Sequence, residues 1–117
     1  MDKPKVSIIV PAKNAQNTIK KCVDSIFRLN YGNFEVVVVN DGSTDNTAEI
    51  LKAHNAIKLI TTEGVGPSKA RNIAIEQASG EFIAFTDADC IVDSEWINEL
   101  LKGFTAEEIA GVGGSQN

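Results

Sequence analysis

Two largely apolar runs, Val6 to Val10 with Ser7 as its one polar residue and Phe34 to Val39 with Glu35 as its one, constrain the fold more than any other feature of the sequence. A strand with one face in water alternates apolar and polar residues. A run that does not alternate is covered on both faces, as strands of parallel sheets are. Between the two runs, Ile19, Cys22, Val23, Ile26 and Phe27 recur at i, i+3, i+4, i+7 and i+8, which predicts an amphipathic helix over Gln16 to Leu29. Strand, helix and strand in this order describe a right-handed crossover that packs its helix back on the sheet.

The same alternation continues along the chain. Asn40 to Asp45 joins turn chemistry to a helix start, with Ser43 or Thr44 as the expected cap and Asp45 at the positive end of the helix dipole. That helix runs to about Ala53 with Ala48, Ile50 and Leu51 inward. Ala56 to Thr61 reads as a weaker third strand, and Gly64 to Pro67 as a loop whose proline suits a first helical turn. A helix over Ser68 to Ala78 is expected to bury Ala70, Ile73, Ala74 and Ala78. Phe82 to Phe85 reads as the fourth and central strand, and Asp93 as the cap of a helix that packs Trp96, Ile97, Leu100, Leu101 and Phe104. Ile109 to Gly114 reads as a fifth strand. The expected fold class is α/β, a mostly parallel sheet with helices on both faces, in a single domain over residues 1–117.

Composition narrows the partners. A net charge of -5 and a pI near 4.8 argue against nucleic acid, because binding a phosphate backbone needs a basic face. Cys22 and Cys90 are too few for a disulfide framework, which points to a reducing, cytoplasmic setting, and Cys22 falls on the apolar stripe of its helix as a small buried hydrophobe. No stretch approaches the ~20 apolar residues that span a bilayer. His54, the sole histidine, is expected at a helix C-terminus, where it faces the dipole or solvent.

In open α/β sheets, ligands sit outside the carboxyl ends of the strands. Pro11 to Asn14, Asn40 to Asp45 and Asp87 to Asp89 all follow strands, and Lys69 to Asn72 opens the helix that leads to the fourth. Asp87 and Asp89, one residue apart at a strand end, allow two readings. They terminate the strand in a turn, or they hold a divalent metal that carries phosphate oxygens. Lys13 and Lys69 are candidates to supplement a phosphate site, or are ordinary exposed lysines.

Val6-Ser7-Ile8-Ile9-Val10-Pro11-Ala12-Lys13-Asn14, Val39-Asn40-Asp41-Gly42-Ser43-Thr44-Asp45-Asn46-Thr47, Ala70-Arg71-Asn72 and Asp87-Ala88-Asp89 together resemble the GT-A fold glycosyltransferases of family two. The resemblance implies a Rossmann-like nucleotide-diphospho-sugar transferase half. Its members move a sugar from a nucleotide diphosphate donor, here expected to be UDP-linked, to an acceptor, commonly with Mg2+ or Mn2+ bound. It implies a nucleotide-sugar site of Pro11, Ala12, Asn14, Asp41, Arg71, Asp87 and Ala88. Within that site Pro11 and Ala12 lie beside base and ribose, Asp41 accepts a hydrogen bond from the base, and Arg71 lies near the diphosphate. Asp89 is implied as the direct metal ligand, with Asp87 at the ribose or at metal-bound water.

The family's catalytic base is not found in this chain, and Cys90 stands where many relatives have another acidic residue. The expectation is therefore a donor-binding part that lacks the acceptor-binding half, with an unknown saccharide or lipid-linked acceptor and a setting in the cytoplasm or at the inner face of a membrane. The alternative is a non-catalytic nucleotide-sugar-binding module that needs a partner. A sugar nucleotidyltransferase is disfavoured, because Pro11-Ala12-Lys13-Asn14 has no glycine-rich loop after the first strand. An exposed edge in the Phe104 to Gly114 region is expected to drive self-association into a homo-oligomer.

Overall fold

The computed structural model describes residues 3–102. In chain order the elements are β1 (Val6–Ala12), α1 (Ile19–Ile26), β2 (Phe34–Asp41), α2 (Thr47–Lys52), β3 (Lys58–Thr62), α3 (Pro67–Gln77), β4 (Phe82–Phe85) and α4 (Trp96–Lys102). The strands form one sheet in the order β3-β2-β1-β4, and every pairing is parallel. The C-terminal ends of all four strands therefore meet along one edge.

The apolar stretches Ile8–Val10 and Val36–Val39 are buried on both faces, as their lack of alternation requires. Ile8, Val10, Val36 and Val38 face one core, which they share with Ile19, Cys22, Val23 and Ile26 of α1, Leu51 of α2 and Ile97 of α4. Ile9, Val37 and Val39 face the other, against Ala70 and Ala74 of α3. Two alanines on the buried side of α3 let that helix approach the sheet closely. Helices on both faces and a parallel sheet bear out the expected fold class.

Three expectations are corrected and one is extended. Among the described residues β4 pairs with β1 alone, at register Val6↔Phe82 to Ile9↔Phe85, so of the four described strands β1 and β2 are the inner pair and β4 is outermost. Strand order is set by where α3 carries the chain, over β2 and β1 to the far side of the sheet, and not by the hydrophobicity of β4 itself. α1 is shorter than the predicted Gln16 to Leu29, and Phe27 is exposed at its end, tilted against Phe34. There it also stacks on His54 at 4.9 Å, so the histidine just past the end of α2 meets an aromatic ring, which the sequence did not signal. The third correction concerns Ser43 and Thr44, which do not cap α2, for the reason given below. Phe104, the proposed fifth strand and the self-association surface lie outside the described residues. No helix among the described residues is long and apolar enough to cross a membrane.

The N-terminal end of the sheet is closed by one acidic side chain. Glu35 accepts the Ser7 hydroxyl at 2.6 Å, the Ser79 N–H at 2.7 Å and the Ser79 hydroxyl at 3.1 Å. Ser7 in turn accepts the Gly80 N–H at 2.8 Å, and a Cβ at Gly80 would lie 2.6 Å from the Ser7 oxygen, so this approach requires glycine. Burial pushes the Glu35 carboxyl up, but the bonds from Ser7 and Ser79 and the charge of Lys58 outweigh it and hold it at about 2. With the folded value below the ordinary 4.5, Glu35 stabilises the fold above that pH, and the contribution is lost as pH falls toward 2. Glu35→Gln keeps one acceptor and loses the charge. It is expected to lower stability by about 1–2 kcal/mol in urea titration at pH 7, with a smaller difference from wild type at pH 3.

Candidate functional site

Each strand end delivers polar residues to the C-terminal edge, and the loops that follow are tied together by their side chains. Asn14 adopts a left-handed backbone (φ 51°) just after β1. Its N–H donates to Ser43 Oγ at 2.9 Å, and its Oδ1 accepts the Thr44 N–H at 2.7 Å. The Gln16 N–H donates to Asp45 Oδ2 at 3.2 Å, the Ala15 N–H to Thr47 Oγ1 at 2.8 Å, and the Asn46 N–H to Gln16 Oε1 at 3.1 Å. Ser43 and Thr44 are thus used to join the β1–α1 and β2–α2 loops. Asp45 serves α2 instead, accepting both the N–H and the hydroxyl of Thr47, and the Thr47 hydroxyl is the leading cause that lowers its carboxyl.

A cleft of about 400 Å³ opens between these loops and the end of β4. It is lined by Pro11, Lys13, Asn14 and Thr18 on one side and by Ala88 and Asp89 on the other. Of the residues expected at a donor site, the structure thus brings Pro11, Asn14, Ala88 and Asp89 to one cavity. Ala12 is buried beneath its wall, and Asp87 is exposed close to Asp89. Asp41 and Arg71 do not line it; Arg71 is half-buried on α3, on the opposite face of the sheet from α1. Two further clefts of similar size, one between α1 and α2 and one beside Lys3 and Tyr31, gather no strand-end residues.

Asp41 is committed to the β3–α3 loop. Its Oδ1 accepts the Thr62 hydroxyl at 2.6 Å, the Gly64 N–H at 2.9 Å and the Val65 N–H at 2.7 Å, and its Oδ2 accepts the Gly66 N–H at 2.9 Å. The Thr62 hydroxyl chiefly, and the three loop N–H groups against the opposing effect of burial, hold the carboxyl at about 2. Gly42 lies against the same loop with φ +74°, and a Cβ there would sit 2.9 Å from Gly64 N. Sequence reasoning missed this clamp, because three of its four donors are main-chain groups and the fourth, Thr62, lies 21 residues along the chain.

The acidic pair at the end of β4 has a third neighbour. Ligand atoms of Asp87, Asp89 and Cys90 lie within 4.8 Å of one another. Among the described residues neither carboxylate makes an ion pair. Two exposed, uncompensated carboxylates beside a polar cleft form a donor set that fits a hard divalent cation sharing its coordination with phosphate oxygens. Behind them Cys22 is fully buried, and burial first, then the charges of Cys90, Asp89 and Asp87, push its thiol up to about 12. Asn40, on β2 opposite Ala12, and Thr86, just after β4, bury side-chain oxygens with no hydrogen-bond partner among the described residues. Asn40 was legible in the sequence only as part of a turn cluster.

Residues 7–117 match the family model for Glycosyl transferase family 2. The chain belongs to that family. Among its relatives, the UDP-Glc:alpha-D-GlcNAc-diphosphoundecaprenol beta-1,3-glucosyltransferase WfgD of Escherichia coli is 43% identical over 105 residues, covering 87% of this chain and 40% of WfgD. Two solved structures have the same fold. S. aureus TarS 1-349 in complex with UDP superposes with a TM-score of 0.77 at 35% identity over 84% of this chain and 31% of that one. The mannosyltransferase PcManGT from Pyrobaculum calidifontis, in complex with GDP-Man and Mn2+, gives 0.77 at 32% identity over 86% and 32%. This family 2 chain thus spans well under half the length of these relatives, and the residues matched by the family model include the edge described above.

Proposed function

We propose that this chain is the donor-binding part of a glycosyltransferase that takes a sugar from a nucleotide diphosphate donor, UDP-linked, with a divalent metal held by Asp89 and Asp87. The observation that carries the reading is the uncompensated Asp87–Asp89 pair beside the Pro11–Asn14 cleft in a chain of this family. Bound there, Mn2+ or Mg2+ would supply Lewis-acid neutralisation of the leaving diphosphate. The protein's own contribution is placement. Pro11 and Asn14 form the wall for base and ribose with Ala12 buried behind them, Ala88 lets the chain pass close to the donor, and Arg71, on α3 outside the cleft lining, answers the diphosphate charge with its forked guanidinium. Asp41 acts at the base end, where it fixes the Gly64–Gly66 loop.

Among the described residues Asp89 is the one carboxylate in the cleft lining, and, with Asp87 beside it, it is given to the metal. We assign the base that takes the acceptor's proton, and the acceptor site, to a part of the enzyme other than these residues. The names of WfgD and TarS support a UDP-linked donor, and the substrate in WfgD's name supports a lipid-diphosphate saccharide as acceptor, which would place the reaction at the inner face of a membrane. Calorimetric titration of UDP and of GDP, each with and without Mn2+, tests the reading. Expected is UDP binding that is strengthened by Mn2+ and exceeds that of GDP. A preference for GDP would reassign the donor, and no binding of either would reject the donor site.

A further inference from the structure

The two carboxylates stand on a segment with little help from the sheet. β4 ends at Phe85, and the Thr86 N–H on the Ile9 carbonyl, at 3.1 Å, is the last tie of this stretch to a strand. Beyond it, among the described residues, every hydrogen bond between residues 87–102 and the rest of the protein runs to α1 or to Asn30 just after it. The Cys22 thiol donates to the Asp87 carbonyl at 3.4 Å. The Val92 N–H donates to the Ser25 hydroxyl at 3.0 Å, and that hydroxyl donates onward to the Cys22 carbonyl at 2.7 Å. Asn30 accepts from the Asn98 side chain at 2.8 Å, and its N–H donates to the Ser94 carbonyl at 2.8 Å.

Ser25 is conspicuous in this arrangement. It is 3% exposed on the otherwise apolar face of α1, where a hydroxyl gains nothing from packing. A buried serine that back-bonds within its own helix is weakly unfavourable there, and its compensation is the Val92 N–H that would otherwise be orphaned. Cys22 and Ser25 grip the chain on either side of Asp89, one at Asp87 and the other at Val92.

We propose that Cys22 and Ser25 are positioning residues for the donor site, so that α1 sets where Asp87 and Asp89 stand. The proposal rests on the donor-site reading above. It explains why a polar side chain is kept in the α1 core, and it makes metal and diphosphate affinity depend on a helix face that touches neither ligand.

The test compares Ser25→Ala, Cys22→Ala and Cys22→Ser with Val23→Ala, which trims the same core from the same turn of α1 and removes none of the hydrogen bonds to the segment. Two readouts are taken on the 117-residue chain: amide hydrogen exchange at Val92 without ligand, and UDP affinity with Mn2+. Ser25→Ala is expected to speed Val92 exchange and to weaken UDP binding, each by about tenfold. Cys22→Ala weakens binding while Cys22→Ser, which keeps a donor, stays within about threefold of wild type. Val23→Ala lowers the melting temperature and moves neither readout. If Ser25→Ala does not fold, the Cys22 pair decides on its own. Unchanged affinity in both alanine variants, with Val92 exchange moved no more than by Val23→Ala, overturns the proposal. Wild-type protein that binds neither UDP nor GDP rejects the donor-site reading instead. In that case accelerated Val92 exchange still supports placement of the segment by α1, and unmoved exchange overturns it.

Discussion

Asp89→Ala is expected to remove Mn2+-dependent UDP binding, a loss on the order of a hundredfold or more, while the melting temperature moves by no more than a few degrees. Both halves follow from its position. Asp89 is exposed, lines the cleft and supports no fold contact beyond a long 3.7 Å approach from the Cys90 thiol, so its removal leaves no buried group unpaired. Losing an outer-shell partner of a metal already costs about 10–100-fold in affinity, and loss of a direct ligand is expected to exceed that. Asp87→Ala should weaken binding less. Cys90→Ser should keep Mn2+ binding, because the hard oxygen donors remain. Calorimetry of the variants against wild type, with thermal melts in parallel, reads both effects.

Asp41→Ala is expected to have the opposite profile, with the largest effect on stability. It removes the acceptor of one hydroxyl and three main-chain N–H groups in a position that is 4% exposed. An orphaned buried donor costs about 1–3 kcal/mol, so a loss of about 3 kcal/mol or more is expected even after partial rescue by water. Against a total of about 5–15 kcal/mol this leaves a marginal domain, readable as a lower urea midpoint. The pH dependence has a definite sign. The folded carboxyl sits at about 2 and the ordinary value is 3.8, so the stabilisation is present above about pH 4 and fades as pH falls toward 2. The gap between wild type and Asp41→Ala should therefore narrow on acidification. Nucleotide binding by the variant should fall as well, through a disordered Gly64–Gly66 loop and not through loss of the metal.

The strands were legible because a β-branched stretch that does not alternate can be satisfied in few ways, and Ile8–Val10 and Val36–Val39 are such stretches. Element ends were less so. Asn14, Gln16, Ser43 and Thr44 are all turn and cap formers, and nothing local says that they will bond across two loops instead of capping their own helices. That β4 pairs with β1 was not legible, because a strand's composition reports burial and not order. Within the site, Asp87 and Asp89 stood out through their position after an apolar run. The clamp on Asp41 and the grip of Ser25 on Val92 did not, since each joins a side chain to main-chain groups far along the sequence. Ser25 in particular reads as an ordinary interruption of the α1 stripe until the segment it holds is placed beside it.

The central claim is that the cleft between Pro11–Asn14 and Ala88–Asp89 receives a metal-bound nucleoside diphosphate. Paramagnetic broadening of backbone amide signals by Mn2+ in the presence of UDP tests it most directly, because the effect falls steeply with distance from the ion. Broadening centred on residues 86–91 and reaching residues 11–15, absent in Asp89→Ala, is the predicted result. Broadening centred on any other surface, such as Glu35 and the N-terminal end of the sheet, would contradict the account.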